Sequence, residues 1–292
     1  MAEVLTPAGS RGPWPVDWVV LPYFAANCAA DLWLWKRLPD AGWLAAVNAV
    51  AILIAVLAIR HPGKASWIFR HWYPLPYVGW CYRQMALLIP AIRRGDADAD
   101  LAQLDYRLWH AYPTVWLERL ATPVLTEYLQ IVYALFVPVV LLVAFLLWRQ
   151  RRYADFRYYA FLIALGFLVS YLGYLLVPAR GPRFFLRHLQ SIDLRGLWVT
   201  RLLQATLDRL ESKAWDCFPS GHTEMTILAW WGSRRISKGL FWVYCAYTLS
   251  IISATVYLRY HYTIDILAGV AVAGLLVLLA PHLYRTLEKG AA

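Results

Sequence analysis

Two short stretches of this chain place a histidine beside groups that can steer it: Cys217-Phe-Pro-Ser-Gly-His-Thr223 and Arg259-Tyr-His-Tyr-Thr-Ile-Asp265. The second sets Asp265 four residues after His261, so on a helix both side chains share one face. A carboxylate placed there can accept a hydrogen bond from one ring nitrogen and fix the tautomer. It also stabilises the charge that grows as the other nitrogen attacks phosphorus. In the first stretch, Pro219 can open a helix at no hydrogen-bond cost. Gly221 lets backbone approach a ligand, and the N–H groups of a first helical turn attract phosphate. Ser220 can donate a further hydrogen bond to a phosphate oxygen, and His222 stands where it could protonate a departing alkoxide. Each pattern also has a plain reading: a His–Asp pair at the mouth of a helix, and a proline-started helix with an incidental histidine.

A third stretch, Val177-Pro-Ala-Arg-Gly-Pro-Arg183, offers Arg180 and Arg183 as clamps for equatorial phosphate oxygens. The plain alternative is a pair of basic residues snorkelling to headgroups at a helix end. Glycine and proline around them favour a fixed turn. Two histidines, a carboxylate and cationic groups supply what phosphoryl transfer needs without a metal or other cofactor. Glu224 lies two positions past His222 and so points off that face, toward a structural pairing or toward substrate. Asp31 is a second ionisable group in an apolar run, where function is the default reading if the run spans. His71, His110 and His188 read as surface residues, and His282 lies near the opposite end of its helix.

The elements that must position these groups are membrane helices. The 292 residues are 61% hydrophobic and 16% charged, with mean hydropathy +0.47, too apolar for a soluble core to hide. Sixteen tryptophans and nineteen tyrosines suit aromatic belts at both headgroup layers. The net charge of +10 is spread between apolar runs, which fits anionic lipid and excludes a nucleic-acid patch. Five charge-free runs are long enough to cross: Trp43–Ile59, Leu129–Trp148, Tyr158–Val177, Gly239–Leu258 and Ile266–Tyr284. Pro219–Gly232 is expected as a shorter, tilted crossing. Trp18–Trp35, with Pro22, Asn27 and Asp31, would span, re-enter or lie at the interface. The expected architecture is all-α: a polytopic bundle of six or seven transmembrane helices with interfacial helices on the extracytoplasmic side.

Basic loops at Arg149–Arg157, at Arg234–Lys238 and in the tail at Arg285 and Lys289 should face the cytoplasm. Chain parity then brings Pro178–Trp215 and both histidine stretches to one extracytoplasmic face of a bacterial-type inner membrane. Three regions follow: N-terminal membrane segments over 1–60, an extracytoplasmic interfacial helical region over 61–122, and a catalytic membrane bundle over 123–292. The interfacial region should be broken by Pro74, Pro76 and Pro90, and it serves either as a packed loop or as a lid. The four cysteines lack metal-ligand spacing, and a Cys81–Cys217 disulfide would need both to face an oxidising compartment. The N-terminus lacks the order of a cleaved signal peptide.

Order and placement of these residues resemble the type 2 phosphatidic acid phosphatase superfamily over roughly residues 125–285. Pro219-Ser-Gly-His222 matches its second block, His261 and Asp265 match its third in spacing, and Arg183 or Arg180 stands for its first. The resemblance implies that His261 forms a phosphohistidine, Asp265 orients it, His222 is the acid, and no metal is required. The sequence departs from the pattern at Thr255, where an arginine is usual six residues before the histidine, with Arg259 the nearest substitute. A lysine upstream of the first arginine is also missing. These changes bring the chain nearer the sphingolipid-synthase side. The implied activity is hydrolysis of a phosphate ester on a membrane lipid within the bilayer. The alternatives are transfer of a phospho-headgroup to a lipid alcohol, and a non-enzymatic lipid transporter or scrambler.

Overall fold

The computed structural model describes residues 12–211 and 215–290, so the N-terminal residues that bear on a signal peptide lie outside the described residues. Among the described residues the chain is helical without strands. Its helices are α1 (Asp17–Trp33), α2 (Ala41–Arg60), α3 (Lys64–Trp72), α4 (Pro74–Ile92), α5 (Asp98–Trp109) and α6 (Pro113–Trp116). Then come α7 (Pro123–Ala134), α8 (Phe136–Arg149), α9 (Tyr153–Leu176), α10 (Pro182–Phe185) and α11 (Thr200–Glu211). The last are α12 (Gly221–Ser233), α13 (Lys238–Tyr257) and α14 (Thr263–Gly290).

Four of these, α2, α9, α13 and α14, are long and apolar enough to cross a membrane, as befits an integral membrane protein. A fifth crossing is available if α7 and α8, bent by 47° at their junction, form one span. The bend has a local cause. Pro138 cannot donate to the carbonyl of Ala134, where α7 ends, so the helical ladder is interrupted at that turn. All five charge-free runs therefore become helix, but the described residues do not reach six or seven spans. α12 has 13 residues, about 20 Å of helix against a hydrocarbon core of about 30 Å. α1 has 17 residues, at the lower limit for a crossing, and buries Asp17, Asn27 and Asp31.

The prolines of the 61–122 region behave differently from expectation. Pro74 and Pro76 sit in the first turn of α4, where an N–H would have no intrahelical acceptor, and Pro90 falls in its last turn. The helix runs unbroken from Pro74 to Ile92 as a result.

The chain forms two compact units. The first comprises Met1–Ile92, Leu147–Val169 and Leu276–Ala292. Its buried carboxylates are paired: Asp17 accepts from Arg70 at 3.0 Å, and Asp31 accepts from Asn48 at 2.9 Å and Gln84 at 3.2 Å. His71, expected at the surface, is instead 1% exposed within a cage of Trp14, Trp67, Trp148, Tyr153 and Phe156. Burial pushes its pKa down to about 4, so the caged ring is neutral. All four cysteines are free, Cys81 and Cys217 included.

The second unit comprises Arg93–Leu146 and Ser170–Leu275 and holds every candidate site residue. Side-chain caps start its helices. Thr122 accepts from Leu125 N–H ahead of α7, Ser237 accepts from Leu240 N–H ahead of α13, and Ser220 accepts from Thr223 N–H ahead of α12. The start of α14 is capped from elsewhere in the chain. Asp105 on α5 accepts from Thr263 N–H, Thr263 Oγ1 and Ile264 N–H at 2.7–2.9 Å. Replacing Asp105→Ala should cost about 1–2 kcal/mol, as loss of a capping side chain does. Asp105→Asn, which keeps one accepting oxygen, should cost less. Denaturant unfolding in detergent micelles measures both, and equal stability of the two variants would contradict the capping role.

Candidate active site

The turn that carries His261 begins at the end of α13. Tyr260 N–H donates to Thr255 O at 2.9 Å and Arg259 N–H donates to Val256 O at 3.0 Å. This is the Schellman pattern of helix ends, with Arg259 in the left-handed conformation (φ 69°) that glycine usually supplies. The chain reverses there and delivers His261 to the mouth of α14. His261 Nδ1 lies 2.8 Å from the Cys217 carbonyl and 3.5 Å from Asp265 Oδ2. A carbonyl can only accept, so Nδ1 carries the proton and Nε2 keeps the lone pair. Asp265 Oδ2 also accepts from Tyr262 N–H at 2.8 Å and from the Cys217 thiol at 2.9 Å. His261, Asp265 and Cys217 are all buried.

α12 meets this turn through backbone. Ser220 N–H donates to Asp265 O at 3.0 Å, which places the first turn of α12 against that of α14. Ser220 is the N-cap, so the helix opens at Gly221, two residues later than a proline start at 219 would have it. The Ser220 hydroxyl accepts from Thr223 N–H at 3.3 Å and Thr223 Oγ1 at 3.0 Å, leaving its own proton to donate. A Cβ at Gly221 would overlap the Tyr174 hydroxyl, so the close approach that requires glycine here is to that side chain. The His222 ring sits 5.7 Å from the His261 ring, centroid to centroid. It lies between Tyr133 at 4.4 Å and Phe136 at 4.3 Å. Tyr133 in turn stacks on Tyr260 at 4.2 Å.

The arginine stretch joins the same assembly. Arg183 N–H donates to Arg259 O at 2.9 Å and Cys217 N–H donates to Ala179 O at 3.3 Å, so all three sequence blocks are bonded together. Gly181 has φ 95°, and a Cβ there would come within 2.6 Å of Tyr260 O. Asp98 organises the turn. It accepts from Arg180 N–H and Gly181 N–H at 2.8 Å each and from the Tyr262 hydroxyl at 2.9 Å. Burial raises the Asp98 carboxyl above the ordinary carboxylate range, and these three donors pull it back. The Arg180 and Arg183 guanidinium groups flank Phe184 at 4.5 and 5.0 Å. Arg183 also lies 5.2 Å over Tyr260 and pairs with the half-exposed Asp208 at 2.6 Å.

Arg259 is engaged elsewhere. Its guanidinium bonds Glu118 at 2.7 Å, Gln190 at 3.2 Å and Ile192 O at 3.0 Å. Burial lowers its pKa, and the Glu118 carboxylate works against that shift. Glu224 accepts from Ser170 at 2.5 Å inside the unit. Cys217, Asp98, Glu118 and Tyr133 are the parts that residue patterns did not single out. The thiol directly before the Phe-Pro-Ser-Gly-His run was the one available signal for Cys217. Asp98 was visible only as a member of an acidic stretch.

A family profile, described as the PAP2 superfamily, matches residues 99–279, and the chain belongs to that superfamily. A PA-phosphatase related-family protein of Dictyostelium discoideum is 30% identical over 101 residues. That alignment covers 34% of this chain and spans 18% of the relative's length. No solved structure matches the chain.

The engagement of Arg259 has a measurable consequence. Glu118→Ala should destabilise the protein by about 3 kcal/mol, because it leaves a buried guanidinium without its counter-charge. Glu118→Gln, which can still accept from Arg259, should cost less. Chemical unfolding in detergent reads both, and an unchanged midpoint in Glu118→Ala would remove the structural role assigned to the pair.

Proposed function

We propose that this protein is a membrane phosphoesterase that hydrolyses a phosphate ester on a lipid through a phosphohistidine at His261. The supporting observation is the environment of that ring. Its Nδ1–H is held by the Cys217 carbonyl at 2.8 Å, with Asp265 Oδ2 at 3.5 Å and the His222 ring 5.7 Å away. Nε2 is then the attacking nitrogen, and the Asp265 carboxylate is placed to stabilise the imidazolium character that grows with attack.

In the first half-reaction Nε2 bonds to phosphorus as the P–O bond to the lipid alcohol breaks, and His222 gives its proton to the departing oxygen. In the second, water attacks the phosphoimidazole, His222 takes the water's proton, and inorganic phosphate leaves. Charge on the equatorial oxygens falls to Arg180, Arg183, the Ser220 hydroxyl and the N–H groups of Gly221 and His222. Those N–H groups lie in the first turn of α12, where a helix has no internal acceptor for them. Positioning and electrostatics supply most of the barrier reduction, and no metal is required. Arg259 is assigned a supporting part, since its charge is directed to Glu118. The site faces the extracytoplasmic leaflet, from which a lipid would reach it laterally.

Purified protein in mixed micelles, supplied with a lipid phosphomonoester, should release phosphate and be blocked by vanadate. His261→Ala should fall to background, and His222→Ala should lose about 10²–10⁴-fold in kcat. Brief incubation with labelled substrate followed by quenching should trap alkali-stable label on the wild-type chain and none on His261→Ala. Adding a lipid alcohol tests the acceptor: label moving to that alcohol at the expense of free phosphate would make the enzyme a phosphotransferase. Wild-type turnover at background, with lipid crossing between leaflets of reconstituted vesicles, would replace the enzymatic reading with a transporter.

A further inference from the structure

Cys217 is adjacent to the proposed nucleophile, and its thiol has no part in the phosphoryl transfer just described. We propose that Cys217, His261 and Asp265 also form an inhibitory site for a thiophilic divalent cation, with Zn²⁺ the ion that fits. The inhibitory consequence rests on the phosphohistidine reading, whereas the binding site does not.

One ligand atom from each residue, Cys217 Sγ, His261 Nδ1 and an Asp265 carboxylate oxygen, lies within 4.8 Å of the other two. The closest pairs are Sγ to Oδ2 at 2.9 Å and Nδ1 to Oδ2 at 3.5 Å. Zinc bonds to sulfur, nitrogen and oxygen set tetrahedral ligand atoms roughly 3.3–3.6 Å apart, so side-chain shifts of up to about 1 Å would complete three corners. The mixture of thiolate, imidazole and carboxylate suits zinc and disfavours magnesium or calcium, which select oxygen. A second, independent observation marks the cluster as a ligand site. Asp265 Oδ1 is buried with no hydrogen-bond partner among the described residues, an acceptor whose desolvation none of them offsets. The Cys217 and Tyr260 carbonyls lie beside the same atoms, 2.8 Å from Nδ1 and 3.5 Å from Sγ, and offer oxygen for the fourth position.

Binding would change protonation at both neutral ligands. The thiol proton leaves to solvent as the Zn–S bond forms, and the cation supplies the charge that a buried thiolate lacks. As zinc takes the Nδ1 lone pair, the imidazole proton moves to Nε2. The nitrogen that attacks phosphorus then carries hydrogen and no lone pair. With one thiolate and one carboxylate, the loaded site is electrically neutral, which suits its burial. Exposure of only 2%, 3% and 0% at Cys217, His261 and Asp265 means the turn must open to admit the ion, so inhibition should develop slowly.

Tag-free protein dialysed against Zn²⁺ should take up one equivalent by elemental analysis. Loaded with Co²⁺ instead, it should show a near-ultraviolet thiolate-to-cobalt charge-transfer band. Cys217→Ser should abolish the band and weaken zinc binding by about 100-fold, at or beyond the upper end of the loss seen on removing outer-shell partners. The variant Cys28→Ala/Cys81→Ala/Cys245→Ala, which keeps Cys217 as its one thiol, should retain the band. This also tests the site if Cys217→Ser fails to fold. In turnover, zinc inhibition should set in slowly and be reversed by chelator. Absence of the band in wild type, its loss in the triple variant, or its survival in Cys217→Ser overturns the site. The spectra need no turnover, so a metal-binding protein without phosphoesterase activity would sink only the phosphohistidine reading. An active enzyme that binds no metal would sink only the zinc site.

Discussion

A carboxylate 2% exposed must find its hydrogen-bond donors within the chain, because burial removes water and lipid offers no donors in its place. Asp98 finds three: two backbone N–H groups at Arg180 and Gly181, and the hydroxyl of Tyr262. These donors come from two stretches some eighty residues apart, so one side chain fixes the spacing between the arginine turn and the histidine turn. The same solution recurs around the site. Asp105 caps α14, and Glu127 gathers four consecutive N–H groups, Leu197 to Thr200, with the Thr200 hydroxyl. Each acidic residue holds a loop whose backbone groups would otherwise be unpaired. Loops of this kind can stay close to the bundle and still present a reactive side chain.

Against that fixed frame the ion pairs of Arg259 and Arg183 differ in exposure. Arg259 belongs to a side-chain pair with 9% exposure at each end, so parting it leaves a buried charge uncompensated. Arg183 pairs with Asp208 at 25% and 51% exposure, and such an ion pair is worth little in water. Under the proposed chemistry, an incoming phosphate would displace the second carboxylate more readily than the first. Arg183 also stands over Tyr260, which stacks on Tyr133, which stacks on His222. A row of aromatic faces therefore runs from Arg183 to the proposed acid. It packs ring faces against both groups.

The sequence made the helical fold and the meeting of the three blocks legible, because charge-free runs and i,i+4 spacing are written in residue types. Other features have no such signature. Asp265 was readable as the partner of His261 from spacing, yet the shorter contact to Nδ1 is the backbone carbonyl of Cys217, and any residue carries a carbonyl. The number of spans is less legible, because apolar composition does not distinguish a helix covered by lipid from one covered by protein. α12 is of the second kind, with Thr223, Glu224, Met225, Thr226, Leu228 and Ala229 all buried. The burial of His71 has a related reason: apart from Trp67 on its own helix, its cage is built from rings distant in sequence.

Position 255 shows how a departure from a family pattern can be read from its surroundings. Thr255 is fully buried, and its carbonyl accepts from both Tyr260 N–H and His261 N–H. Its hydroxyl turns back to Ile252 O at 2.8 Å, as threonine does inside helices. The residue anchors the reversal that presents His261, and that geometry forces Arg259 into a left-handed conformation costing about 1–2 kcal/mol for a residue with a Cβ. Glycine would relieve that cost but would bring no guanidinium. Arginine brings bonds to Glu118, Gln190 and Ile192, which tie two further loops to the turn that carries His261. The cation nearest the expected place thus secures the turn from behind. Under the proposed chemistry the phosphate must then be held from the other side, by the Arg180–Arg183 segment that Asp98 fixes in place.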